Sequence, residues 1–155
     1  MEIEVTLQVS GIELGDERTA EALGQYFPEL LWQGDNQDLT VTFTVSVVDA
    51  AAEVLEKVRA LTATFPAFKV CRVDRDLVST TEISTRVGVS REAARKWGIE
   101  PGFPTPYAHI GNTKAWLWCE VLAWLQDSRG LDIDERVATE ALMVQIDNCL
   151  FARGR

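Results

Sequence analysis

Residues at the start of the chain alternate strictly. Ile3, Val5, Leu7 and Val9 take every second position, with Glu2, Glu4, Thr6 and Gln8 between them, which predicts a half-buried strand over Met1–Val9. A Gly11–Gly15 loop follows. Asp16 then caps a helix in which Ala20, Leu23 and Phe27 keep helical spacing, and Pro28 marks its end. Leu30–Gln33 reads as a short strand. Beyond the turn-rich Gly34–Asp38, Val41, Phe43, Val45 and Val47 alternate with threonines and a serine through Leu39–Val48, so these two segments predict a hairpin. Asp49 caps an amphipathic helix over Ala50–Thr64, with Val54, Leu55, Val58 and Leu61 along one stripe. Phe65-Pro66 breaks it. Phe68–Val73 returns to alternation, with Phe68, Val70 and Arg72 on one side.

The order β-α-β-β-α-β can close as a ferredoxin-like sheet with both helices on one face, giving an α+β unit over residues 1–76. That arrangement serves many unrelated functions and says little about this half by itself. The charged connector Asp74-Arg75-Asp76 marks the expected boundary.

Beyond the connector the period becomes helical. Ser79 or Thr80 can cap a short helix, with Glu82 or a neighbour answering as in a capping box, and Ile83 and Val87 are spaced to face a core. Gly88 supplies the left-handed conformation that ends this helix, and Val89 plugs the corner. Ser90 caps a second helix in which Ala93, Ala94 and Trp97 pack inward, while Arg91, Arg95 and Lys96 project from the other side. Two short helices around a glycine turn, the second basic, have the geometry that places a recognition helix in a major groove. Packed as an ordinary helical hairpin, the same residues would leave those cations merely solvated, a reading that Glu82 and Glu92 favour.

The stretch Gly98–Pro106 is too rich in glycine and proline for a helix and predicts a rigid loop. His109–Thr113 forms a second turn around Gly111-Asn112, and Ala115–Trp118 reads as a short strand. A strand-loop-strand beside the recognition helix is a wing, with Lys114 near its tip. Cys119–Leu125 starts another helix that buries Val121, Leu122, Trp124 and Leu125. These segments delimit a unit over residues 77–125. In the remaining 126–155, a helix from Asp134 to about Ala152 is expected to pack on the rest through Ile133, Val137, Leu142, Val144, Ile146, Leu150 and Phe151. Arg153 and Arg155 at its end are further candidates for approaching an acidic polymer.

Charge changes this picture in one respect. A net charge of −9 opposes nucleic-acid binding over the whole chain. The acid is concentrated in residues 1–76, which carry 6 Lys+Arg against 14 Asp+Glu, whereas residues 77–125 carry 5 against 4. Hydrophobic residues at 46% allow a real core and argue against disorder. No stretch approaches the length of a membrane helix and the N-terminus lacks a leader pattern, so the chain is expected in the cytoplasm. Cys71, Cys119 and Cys149 lack paired metal or redox spacing and read as buried small hydrophobes. His109 has no second ligand nearby in sequence, no nucleophile-base pair stands out, and the glycines are too dispersed for a phosphate loop. A non-enzymatic protein without metal or cofactor is expected. Trp97, Trp116, Trp118 and Trp124 read as the core of a small domain rather than a stacking surface, and Trp32 as core of the first half.

The run Leu77–Trp97, then Gly102-Phe103-Pro104-Thr105-Pro106, Trp116-Leu117-Trp118 and Glu120–Leu125, resembles the small winged helix-turn-helix domains of MerR-like, excisionase and AlpA-type regulators. The resemblance covers about a third of the chain. It implies DNA contacts from Ser90, Arg91, Arg95 and Lys96, with the wing on the backbone. Thr80 and Thr81 at the first helix, and His109 and Lys114 in the wing, complete the candidate set. Those domains often carry an arginine- and glycine-rich loop after the recognition helix, whereas here Trp97-Gly98-Ile99-Glu100 is short and ends in an acid. With so few cations, a homodimer is expected, since doubled contacts raise affinity and select paired half-sites. The leading expectation is thus a regulatory protein that binds double-stranded DNA. The alternative is an acidic protein-interaction module on a winged scaffold, engaging a protein partner through residues 1–76.

Overall fold

The computed structural model describes residues 1–152, and Arg153 and Arg155 lie outside the described residues. The described residues form an α+β protein with six helices and two antiparallel sheets, divided into two compact units. The first comprises Met1–Asp74 together with the segment from Arg136 onward, and the second is Arg75–Glu135.

In the first unit β1 (Glu2–Ser10) and β3 (Leu39–Ser46) lie side by side, flanked by β2 (Leu31–Gly34) and β4 (Lys69–Val73), in the order β2-β3-β1-β4. The alternation sets the register. Ile3 faces Val45, Val5 faces Phe43, Leu7 faces Val41 and Val9 faces Leu39, and all eight side chains are buried. A slip of β1 by one residue would turn its four outward, at a cost of about 1.5–3 kcal/mol for each side chain. On the opposite face the Thr6 and Thr42 hydroxyls bond to each other at 2.8 Å.

Helix α1 (Glu17–Tyr26) starts where the Asp16 carboxylate accepts from the Thr19 backbone N–H at 3.0 Å, a contact that holds this carboxyl below its ordinary pKa. Its inward positions are Leu23 and, at the C-cap, Phe27, whereas Ala20 is exposed. Helix α2 (Ala50–Thr64) buries Ala50, Val54 and Leu61 and leaves Leu55 and Val58 half-buried. Asp49 precedes it without a side-chain capping bond. Glu53 supplies a different brace, accepting from the Ser46 backbone N–H at 2.8 Å.

Three further expectations are corrected. The register of β4 against β1 shifts, so that Val70 opposes Val9 and Val73 opposes Leu7, and Cys71 is the additional residue. A bulge of this kind breaks the two-residue period. Val73 is therefore buried and Arg72 exposed, where unbroken alternation would have put Arg72 with Phe68 and Val70. Cys71 is likewise exposed, and Cys119 and Cys149 are half-buried rather than buried. Thirdly, the C-terminal helix α6 spans only Glu140–Phe151, capped by Thr139, whose hydroxyl accepts from the Leu142 backbone N–H at 3.2 Å. The residues before it are extended because the Arg136 carbonyl accepts from the Glu4 backbone N–H at 2.9 Å, making a parallel bridge at Val137. Of the apolar residues expected inward, Ile146 is buried while Val144 and Phe151 are exposed, and Met143 takes the second buried place.

The second unit begins with β5 (Leu77–Val78) and continues through α3 (Thr80–Val87), α4 (Arg91–Trp97), a hairpin of β6 (Ala108–Ile110) and β7 (Thr113–Leu117), and α5 (Trp118–Ser128). Its sheet runs β5-β7-β6. The boundary expected after residue 125 falls inside α5, and the unit continues to Glu135. Among the described residues no helix is long and apolar enough to cross a membrane.

Candidate nucleic-acid interface

Helices α3 and α4 have eight and seven residues, too short to persist alone, since isolated helices below about 12 residues are marginal in water. Local caps define their ends. The Ser79 hydroxyl accepts from the Glu82 backbone N–H at 3.3 Å, and the Glu82 carboxylate reaches toward Arg86 at 4.0 Å. Gly88 adopts φ +78, and its backbone N–H closes on the Ser84 carbonyl at 2.9 Å. Ser90 starts α4 by accepting from the Ala93 backbone N–H at 3.1 Å. The turn is thus only three residues long.

Packing then decides which side of α4 meets solvent. Ala94 is buried and Ala93 and Trp97 are half-buried, so Arg91, Arg95 and Lys96 are all exposed. Behind the helices lies an aromatic cluster. Phe103 stands edge-on to both Trp116 and Trp124, with ring centres 5.5 and 4.9 Å apart, and Trp97 lies 6.0 Å from Trp124. The Trp116 indole donates to the Pro104 carbonyl at 3.0 Å, tying the proline-rich loop to β7. Arg129 covers the cluster, its guanidinium 5.3 Å from the Trp124 ring, and is ion-paired with Glu100. Trp116, Trp118 and Trp124 are buried and Trp97 half-buried, so these rings are packing elements.

Two basic residues differ sharply in their availability. Arg86, at the end of α3, makes a two-pronged contact with Asp76 at 2.8 Å and lies over Trp118, 4.9 Å from the ring centre. Trp118 also donates its backbone N–H to the Asp76 carbonyl at 3.0 Å and its indole N–H to Glu135 at 3.1 Å. Arg86 therefore belongs to a clasp joining the first and last turns of this unit. Arg95 is partly committed as well. Its guanidinium meets Glu92 at 2.5 and 3.1 Å, which pulls the Glu92 carboxyl below its ordinary pKa and raises that of Arg95. Both side chains are 59% exposed, so the pair sits in high dielectric and a stronger anion can compete for Arg95.

The candidate residues fall into three groups. Ser90, Arg91, Arg95 and Lys96 share α4, where Arg91 and Arg95 stand one turn apart. The Ser90 hydroxyl is occupied as the cap. His109 and Lys114 face each other across the β6–β7 hairpin, and both are exposed. Thr80 and Thr81 open α3, the first half-buried and the second exposed. Two residues that sequence reasoning missed stand on the hairpin, Ile110 directly before the Gly111-Asn112 turn at 72% exposure and Tyr107 just ahead of β6 at 45%. An isoleucine beside a tight turn was the available signal. Among the described residues, no three His, Cys, Asp or Glu side chains gather as metal ligands would.

The class that this fold and site define is an α+β chain carrying a capped helix pair with a solvent-facing basic helix. Comparison with known protein families, characterised proteins and solved structures found no match to this chain.

Proposed function

We propose that residues 77–125 act as a winged helix-turn-helix that reads duplex DNA, and that the protein is a non-enzymatic DNA-binding regulator. The observation that carries this reading is the outer face of α4, where Arg91, Arg95 and Lys96 are exposed together behind a three-residue turn set by Gly88 and Ser90. In this reading α4 enters the major groove and the β6–β7 hairpin is the wing, with Lys114 and His109 on phosphates and Thr80 and Thr81 at the backbone. The first unit, by its strand order, is read as ferredoxin-like. Three cations on α4 are few, so the working form is a homodimer spanning two half-sites in the cytoplasm.

Fluorescence anisotropy with a short random-sequence duplex tests the proposal. Binding is expected at about 50 mM salt and should fade steeply as salt rises, because each phosphate neutralised contributes a slope of about −0.9 in log K against log salt. A flat titration at low salt would remove the proposal. A second reading, an acidic module that binds a protein partner, is favoured by the Glu92 clamp on Arg95 and by the acid concentrated in residues 1–76. It predicts the flat titration.

A further inference from the structure

We propose that the first unit binds a small amphipathic anion, an apolar body carrying one carboxylate, in a groove formed by α2, β4 and α6. The groove has a volume of about 670 Å³ and lies wholly within this unit. That volume is within the range of small-molecule sites, about 300 to 1,000 Å³. Its walls are Leu55, Val58 and Ala63 of α2, Val70 of β4, and Leu150 and Phe151 of α6. The Thr62 hydroxyl, which also faces it, is already bonded to the Val58 carbonyl at 2.8 Å, so the lining offers little to a sugar.

Arg59 and Lys69 supply the other half of the argument for this ligand class. Both line the groove, both are exposed, and neither is ion-paired among the described residues. Lys57, two residues before Arg59 on the same helix, is held by Glu29 at 2.6 Å, and Arg72 of β4 donates to Gln8 at 2.7 Å. Residues 1–76 are strongly acidic. An apolar groove with two uncommitted cations thus offers a hydrophobic carboxylate charge complementarity as well as burial. The proposal does not rest on DNA reading by the second unit.

Dodecanoate below its micellar concentration is the probe, titrated calorimetrically into the full chain. One saturable site per chain is expected, with dodecanol at equal concentration failing to compete. Arg59→Gln and Lys69→Gln should each weaken binding by about fivefold, the scale of one exposed ion pair. Ala63→Trp, which fills the groove from its rim, should abolish binding without moving the urea midpoint. Absence of saturable binding, equal competition by dodecanol, or binding indifferent to the two charge substitutions overturns the proposal. So does sedimentation showing a dimer that Ala63→Trp dissociates, because a second copy would then be the occupant. If Ala63→Trp does not fold, the Arg59→Gln/Lys69→Gln pair decides.

Discussion

The first unit rests on a long register of apolar pairs, and the second on a few aromatic rings and capped helix ends. In β1 and β3 four alternate buried pairs share the load, so each position is one of many. In the second unit α3 and α4 are too short to hold themselves, and Trp118, 1% exposed, joins the fold's core to Asp76, Arg86 and Glu135. Distributed packing tolerates a lost contact, whereas concentrated packing fails at one residue.

The largest expected effect breaks this comparison most directly. Trp118→Ala should destabilise the second unit by about 3–5 kcal/mol, since a buried ring is lost along with the partners of Arg86 and Glu135. Amide exchange should rise through α3 to α5 while β1 and β3 stay protected, and uniform loss of protection across both units would contradict the contrast. Two glycines sharpen it next. A Cβ on Gly11, at φ +85, would lie 1.8 Å from the Ala67 carbonyl oxygen, so Gly11→Ala should cost about 2–4 kcal/mol through backbone displacement and left-handed strain together. Gly88 at φ +78 has open space around it, and Gly88→Ala should cost only the strain, about 1–2 kcal/mol. Equal urea midpoints for the two variants would show that the close approach at Gly11 relaxes. Ser90→Ala comes below these, at about 1 kcal/mol for a lost helix cap.

The smallest effect concerns charge. Glu92→Gln releases Arg95 and should tighten DNA binding by about threefold, with the salt slope steeper by about 0.9 for each α4 engaged. The sign with pH follows from the lowered carboxyl pKa of Glu92 in the fold. The pair contributes above the ordinary carboxylate pKa and is lost as pH falls through the depressed one, so acid should mimic Glu92→Gln. Across about pH 6 to 8 Glu92 stays ionised, and its substitution should shift affinity by the same factor throughout. An affinity gain that varies over that range would show a different origin.

Much of this organisation is legible from local pattern. The alternation from Ile3 to Val9 and from Leu39 to Val45 predicts both central strands and the face each buries, and Gly88 and Ser90 mark the turn between α3 and α4. Those features depend on neighbours within four residues. The Glu92–Arg95 contact is legible in the same way, from its three-residue spacing. What escaped were interactions between distant segments, including the bulge at Cys71, the bridge from Val137 back to Glu4 that delays α6 until Glu140, and the commitment of Arg86 to Asp76 and Trp118. Hydrophobic spacing says nothing of these, because their partners are set by where the chain returns. Within the candidate interface, exposure of Arg91, Arg95 and Lys96 followed from Ala93, Ala94 and Trp97 facing inward.

The most direct measurement is the salt-dependent affinity of the parent and of the Arg91→Ala/Arg95→Ala/Lys96→Ala variant for the same duplex, with urea unfolding as a control for the fold. The parent should bind at about 50 mM salt with a slope of about −2 to −3 for each α4 engaged, and the variant should lose at least about tenfold in affinity with an unchanged urea midpoint. Equal affinity and equal slope in the two proteins would contradict the assignment of α4 as the reading helix.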